Sequence, residues 1–231
     1  SEAPPAEPAP EDGPVVVAPT EEPAVEEPAV ELPPDYRSEL RYGLALELGS
    51  LANNDPAFDW FADGNSIGSV GVRAGFRPAA WLEARLGWHG GRRGSTVGTG
   101  DATYDLVNQE STFRAALTSH QGMAGVRVDA TYDNALYAYV AADALLYAGR
   151  IRLDDDPTVD SNPGQVQVWG VAPGVAALGG VEVRIPPGLE AVQFAWNLEL
   201  GYAYYPPVQF DRFGAMQPGG FTARSGLAVW F

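Results

Sequence analysis

Chemistry in this chain would have to come from few residues. There are two histidines, His89 and His120, and no cysteine. A disulfide or a thiolate metal centre is therefore unavailable, and two imidazoles alone do not make a structural zinc site. His120 follows Ser119, and Glu110 or Asp129 supplies a carboxylate, the parts of a Ser-His-acid nucleophile. If 119 and 120 lie on a strand, they point to opposite faces, and no catalytic residue is assigned. Asp154-Asp155-Asp156, with Asp160 nearby, offers oxygens of the type Ca2+ takes. Without EF-hand or nonapeptide spacing it reads as a solvated acidic loop, so neither metal nor cofactor is expected. Gly98-Thr99-Gly100-Asp101 lacks the strand-to-helix setting of a phosphate loop. All fourteen basic residues are arginine. Arg92, Arg93, Arg150 and Arg152 fall beside long loops, where guanidinium groups could hold phosphate bidentately.

The elements that carry these residues fall into two textures. Residues 1–36 hold ten prolines and ten carboxylates and no basic residue. The run Glu-Glu-Pro-Ala-Val occurs at 21–25 and again at 26–30. Such a stretch buries too little apolar surface to offset its ordering entropy, and is expected to be disordered and polyproline-like. It accounts for ten of the sixteen net negative charges of the 231-residue chain. That balance argues against nucleic acid as a partner, since phosphate binding needs a positive surface.

From 37 onward, period-two alternation replaces proline. Eight strands are expected, near 39–50, 66–77, 80–90, 120–132, 135–152, 168–185, 190–204 and 221–231. Strand one sets Leu40, Tyr42, Leu44, Leu46 and Leu48 against Arg41, Gly43, Ala45, Glu47 and Gly49. Strand seven sets Val192, Phe194, Trp196, Leu198, Leu200, Tyr202 and Tyr204 against Gln193, Ala195, Asn197, Glu199, Gly201 and Ala203. Strand five is ambiguous: placing Asp143 on the polar face brings Tyr137, Tyr139 and Leu145 with it, and a bulge could resolve the conflict. Short turns at 77–78, 133–134 and 185–188 alternate with long loops at 51–65, 91–119, 153–166 and 205–220. An eight-stranded membrane meander has this rhythm when one rim faces the cell exterior.

A soluble barrel would turn the apolar face inward. Three features favour the opposite. The apolar face carries Leu, Phe, Trp and Tyr, too bulky for an eight-stranded interior, whereas Gly, Ala and Ser on the other face fit a tight lumen. Tyr42, Phe76, Trp88, Tyr202, Tyr204 and Phe231 sit towards strand ends, where aromatic side chains suit a membrane boundary. The polar face carries Arg41, Arg73, Arg85, Arg127, Arg184 and Arg224 against Glu47, Glu83, Asp129, Asp143, Glu182 and Glu199, the make-up of a paired internal network. A spanning sheet must also close, because hydrocarbon cannot satisfy a free edge.

The final stretch, Phe221-Thr-Ala-Arg-Ser-Gly-Leu-Ala-Val-Trp-Phe231, resembles the terminal strand of bacterial outer-membrane proteins. The small-residue segment 170–184 is similar to strands of the OmpA/OmpW-like barrel group. The resemblance covers about 37–231. It implies an all-β, eight-stranded antiparallel transmembrane barrel in a Gram-negative outer membrane, with both termini periplasmic and Phe231 as the signal to the barrel-assembly machinery. It also makes outer-membrane lipid and lipopolysaccharide the expected surroundings, with Arg92, Arg93, Arg150 and Arg152 as candidate lipopolysaccharide contacts. The expected role is a non-enzymatic envelope scaffold whose periplasmic tail contacts a protein partner. The alternatives are OmpW-like passage of small hydrophobic molecules and, third, a lipid-modifying enzyme.

Overall fold

The computed structural model describes residues 40–61, 66–97, 113–130, 136–155, 166–189, 192–211 and 213–231. The expected tail at 1–36, the Gly98-Thr99-Gly100-Asp101 run, Glu110, Asp156 and Asp160 lie outside them.

Eight long strands form the barrel: β1 (Tyr42–Ala52), β2 (Ser66–Ala79), β3 (Leu82–Val97), β4 (Phe113–Asp129), β5 (Leu136–Asp155), β6 (Val166–Leu189), β7 (Val192–Tyr204) and β10 (Gly220–Trp230). A 3-10 turn (Pro56–Phe61) and a small hairpin, β8 (Val208–Phe210) with β9 (Gly214–Met216), occupy two of the connections. Every neighbouring pair of long strands is antiparallel, and β1 pairs with β10 to close the barrel. No edge is left for hydrocarbon to meet. The seam runs to the last residue: the Phe231 amide donates to the Tyr42 carbonyl at 2.9 Å, and the Tyr42 amide donates back at 3.0 Å.

Alternation decides the two faces. Along β1, Tyr42, Leu44, Leu46 and Leu48 are exposed, whereas Gly43, Ala45 and Glu47 are buried. In β7, Phe194, Trp196, Leu200, Tyr202 and Tyr204 are exposed, and Gln193, Ala195, Asn197 and Glu199 are buried. Large apolar side chains therefore cover the outer wall, and the charged residues of the strands turn inside. This is the inverse of a soluble barrel, and it suits hydrocarbon outside. At one rim Tyr42 lies 5.4 Å from the Phe76 ring and 6.5 Å from Phe231, part of an aromatic girdle.

Several expectations need correction. Arg41 is exposed and precedes β1, so it does not join the lumen. Its carbonyl still accepts from the Arg77 amide of β2 at 2.8 Å, while Leu40 before it is buried in a cluster with Trp230 and Ala45. Strand five needs no bulge: β5 holds an unbroken register with both neighbours, and Tyr137, Tyr139, Leu145 and Tyr147 all point inward. Side chains of this size fit an eight-stranded interior because glycines on adjacent strands make room. A Cβ at Gly180 would overlap the Tyr139 ring. The loop expected at 91–119 is strand at both its ends, with Gly91 to Val97 paired against Ser119 to Phe113, and 98–112 lie outside the described residues. Continuous backbone pairing outlasts the apolar pattern there.

Candidate functional site

The inward positions carry a graded chemistry. Towards the short-turn rim, each strand brings charged residues: Glu47 from β1, Arg73 and Arg77 from β2, Glu83 and Arg85 from β3, Arg127 and Asp129 from β4. Asp143 comes from β5, Glu182 and Arg184 from β6, Glu199 from β7 and Arg224 from β10. Among the described residues, six arginines and six carboxylates are buried inside, Arg77 taking the place expected for Arg41. Arg77 reads as part of a turn beside Pro78 in the sequence, but it lies within β2 and is 2 % exposed.

Contacts among these residues are dense. Arg127 binds Glu182 at 2.6 Å and Asp129 at 2.8 Å, reaches Glu83 at 3.5 Å, and stacks 3.6 Å from the Tyr139 ring centre. Arg85 holds both oxygens of Asp143, at 2.7 and 2.8 Å, and Glu199 at 2.5 Å. Arg224 bridges the same two acids, at 3.0 and 3.6 Å. Arg73 joins Glu47 at 2.8 Å to Glu83 at 2.9 Å. Arg77 reaches Glu182 at 3.0 Å and lies 3.2 Å over the Trp230 ring. Charges out of water need such partners, because an unpaired one carries a penalty of about several kcal/mol. Trp230, 2 % exposed, closes the lower end of this layer. A Cβ at Gly43 would overlap its ring, so glycine there is what admits the indole.

Towards the long-loop rim the same inward positions turn apolar. Leu51, Ile67, Leu117, Met123, Leu145, Tyr147, Ile151, Val168, Ala172 and Leu178 form one buried cluster. Val208, Phe210 and Met216 of the β8–β9 hairpin, Tyr205 before it and Phe58 of the 3-10 turn complete that cluster from above. The connection at 205–219 thus folds down into the barrel mouth. Glycine permits the approach again: a Cβ at Gly170 would overlap Val208, and one at Gly174 would overlap Tyr205. Asp55 ties the two connections, accepting from the Ala57 amide at 2.9 Å and from the Gln217 amide at 2.8 Å. Burial pushes the Tyr205 phenol well above its ordinary range.

His89 is part of the charged layer, its Nε2 3.0 Å from Glu47 Oε2. Ser119 is buried inside, whereas His120 lies outside and stacks on Trp88 at 5.6 Å. The strand pleat therefore separates the serine from the histidine. Among the described residues, no group of three or more His, Asp or Glu is placed to hold a metal ion.

Of the four rim arginines, Arg92, Arg150 and Arg152 occupy outward positions. Arg92 is cross-strand neighbour to Thr118, Thr118 to Arg150, and Arg150 to Trp169. Arg152 pairs with Asp154 at 2.7 Å, so that acid is an ion-pair partner in β5. Arg93 departs from the group: it occupies an inward position and donates to the Ser66 carbonyl. Phe231 is half exposed on the outer wall.

No family model matches the chain, and no curated protein matches it. Fourteen chains of solved structures match. Neisserial surface protein A aligns over 82 % of this chain and 95 % of its own, at 14 % identity and a TM-score of 0.44. Ail, the attachment invasion locus protein of Yersinia pestis, solved with the heparin analogue sucrose octasulfate, aligns over 83 % and 97 %, at 10 % identity and 0.46. The N-terminal β-barrel domain of Pseudomonas aeruginosa OprF aligns over 81 % and 97 %, at 13 % identity and 0.30. The chain itself is a closed barrel of eight antiparallel strands with an apolar outer wall, the architecture of small Gram-negative outer-membrane barrels.

Proposed function

We propose that this protein is a non-conducting outer-membrane anchor, an envelope scaffold that presents its exterior connections and keeps both termini in the periplasm. The observation that carries this reading is the lumen filled by Arg-carboxylate pairs at one end and capped by the β8–β9 hairpin at the other. An eight-stranded interior is about wide enough for side chains alone. An even number of strands returns both termini to one rim, and short turns at that rim support its placement in the periplasm. The acidic, proline-rich segment at 1–36 would then extend into the periplasm, suited to a basic protein partner. Planar-bilayer recording of the purified barrel should show no stable, large open-channel steps at neutral pH. Such steps would overturn the plugged-lumen reading.

Phe231 supports assembly in this reading. Its backbone closes the seam and its ring joins Tyr42 and Phe76 at the periplasmic girdle. Deleting it should lower the amount of heat-modifiable barrel in the outer membrane several-fold, and an unchanged yield would remove it as an assembly signal.

One observation favours a second reading, passage of small hydrophobic molecules. The exterior half of the lumen is apolar, and the hairpin that fills it belongs to a connection, not to the barrel wall. A Phe210→Trp reporter would distinguish the two. Saturable fluorescence change with a small apolar solute supports passage, and an unresponsive reporter supports the scaffold.

A further inference from the structure

The apolar half of the lumen holds a hydroxyl that its surroundings leave unused. Tyr147 of β5 is 0 % exposed, and its phenol oxygen has no hydrogen-bond partner among the described residues. An unmet hydroxyl inside a protein is costly, and buried polar groups are as a rule paired. Its neighbours in the buried cluster, Leu117, Ile151 and Val168 among them, are apolar. The Tyr205 hydroxyl is also without a partner, but that ring lies over Gly174, four residues further along β6 than the position considered next.

A flat seat lies beside the Tyr147 hydroxyl. Gly149 of β5 and Gly170 of β6 are cross-strand partners, and both are buried on the inner face. The Phe210 ring lies over this pair. A Cβ at Gly170 would fall 2.9 and 3.0 Å from two of its ring carbons, and one at Gly149 would fall 3.0 Å from the ring tip, Cζ. The same Cβ at Gly149 would fall 2.8 Å from the Tyr147 oxygen. The unmet hydroxyl and the tip of the ring therefore border one point. Two glycines side by side let a ring lie directly on backbone. The ring itself belongs to the β8–β9 hairpin, which forms its own two-stranded sheet and shares no ladder with the wall. The hairpin can leave without unpairing a barrel strand.

We propose that the lumen at the long-loop rim is a binding site for a small phenol, a neutral single ring with one hydroxyl, and that Phe210 is its internal surrogate. The ligand ring takes the place of Phe210 over Gly149 and Gly170, and its hydroxyl, carried at the tip, meets Tyr147. The occupant is a ring because a ring already fits the seat. Its polar group is a hydroxyl because a hydroxyl both donates and accepts, and so pairs with Tyr147 whichever way that hydrogen turns. It is neutral because the cluster around it is apolar, where a charge would need a partner, and a phenol keeps its proton at neutral pH. The inference deepens the second reading and rests on its premise that the hairpin leaves the mouth. It adds which molecule takes the seat.

The test is fluorine NMR of the full chain in detergent micelles with para-fluorophenol or para-fluorotoluene, which differ by a hydroxyl against a methyl group. Protein-bound probe is read as a saturable signal apart from the micellar one, and each affinity is referred to the micellar concentration of that probe. Para-fluorophenol should bind at least tenfold more tightly, since a site built to hydrogen-bond a hydroxyl rejects the analogue lacking it. Tyr147→Phe should remove the preference and leave para-fluorotoluene binding as it was. Phe210→Ala should bind both probes more tightly and keep the preference, whereas Phe210→Tyr, which carries its own hydroxyl to the tip, should bind neither. Equal saturable binding of the two probes, or a preference that survives in Tyr147→Phe, would overturn the phenol site and leave the passage reading standing. No bound signal with either probe, in the unaltered chain and in Phe210→Ala alike, would overturn both. All variants are first checked for heat-modifiable migration, and Phe210→Leu replaces the alanine variant should it not fold.

Discussion

The two halves of the lumen are lined by the same alternate positions of the same eight strands, yet they are filled in different ways. In the half at the short-turn rim, the filling comes from the strands themselves, as long charged side chains that reach across the barrel. Arg85 of β3 meets Asp143 of β5 and Glu199 of β7. In the half at the long-loop rim, the strands supply mostly aliphatic and small residues, and the remaining space is taken by Val208, Phe210 and Met216 from a connection. The charged half draws on the strands alone, because Arg73, Arg77, Arg85, Arg127 and Arg224 each meet two or more acids. The apolar half depends on a segment that folds back from a connection into the mouth. Removing one member of a satisfied charge network strands its partners without water, whereas loosening the hairpin exposes packing surface to water at the mouth.

This contrast can be broken most severely in the charged half. Arg127→Ala would leave Glu182, Asp129 and Glu83 short of a cation, and removing one partner of a buried pair costs about 3–5 kcal/mol. Urea unfolding of the refolded barrel in detergent should show that loss. A cost under about 1 kcal/mol would mean that water already enters the network. A smaller effect is expected in the apolar half. Gly174→Val places branched carbon where the Tyr205 ring lies, and overpacking of this kind costs about 1–3 kcal/mol. Limited proteolysis should then cut within 205–219 while the strands stay protected. Protection equal to that of the unaltered chain would show that the hairpin does not depend on this contact. The smallest effect should come from the outer wall. Arg152→Ala removes a half-exposed pair with Asp154, and such pairs are worth about 0–1 kcal/mol. The same urea measurement should barely move, and a loss as large as that of Arg127 would erase the distinction between lumen and surface pairs.

Much of the charged half is legible in the sequence. Glu83 and Arg85, Arg127 and Asp129, or Glu182 and Arg184 stand two apart on strands whose other positions are apolar, and period two leaves them one direction to point. Which arginine meets which acid is not legible, since Arg77 and Glu182 are 105 residues apart and meet only when the barrel closes. Arg41 and Arg77 exchanged roles for a related reason. Alternation does not show where pairing stops, and one of them lies just outside a strand that was expected to include it, the other inside a strand where Pro78 suggested a turn. Tyr137 and Tyr139 look too large for the lumen until Gly180 is seen beside Tyr139.

The sequence by itself determined the number of long strands and the face that all but strand five present, because residue type at alternate positions is a local property, and the rhythm of short turns and long loops determined the antiparallel order. Only the tertiary structure decided that a connection fills the lumen at the long-loop rim, that Trp230 closes the opposite end, and that Arg92 and Arg150 flank Thr118 on the wall. These depend on register between strands distant in the chain and on space left by neighbouring glycines, and neither quantity exists until the barrel has closed.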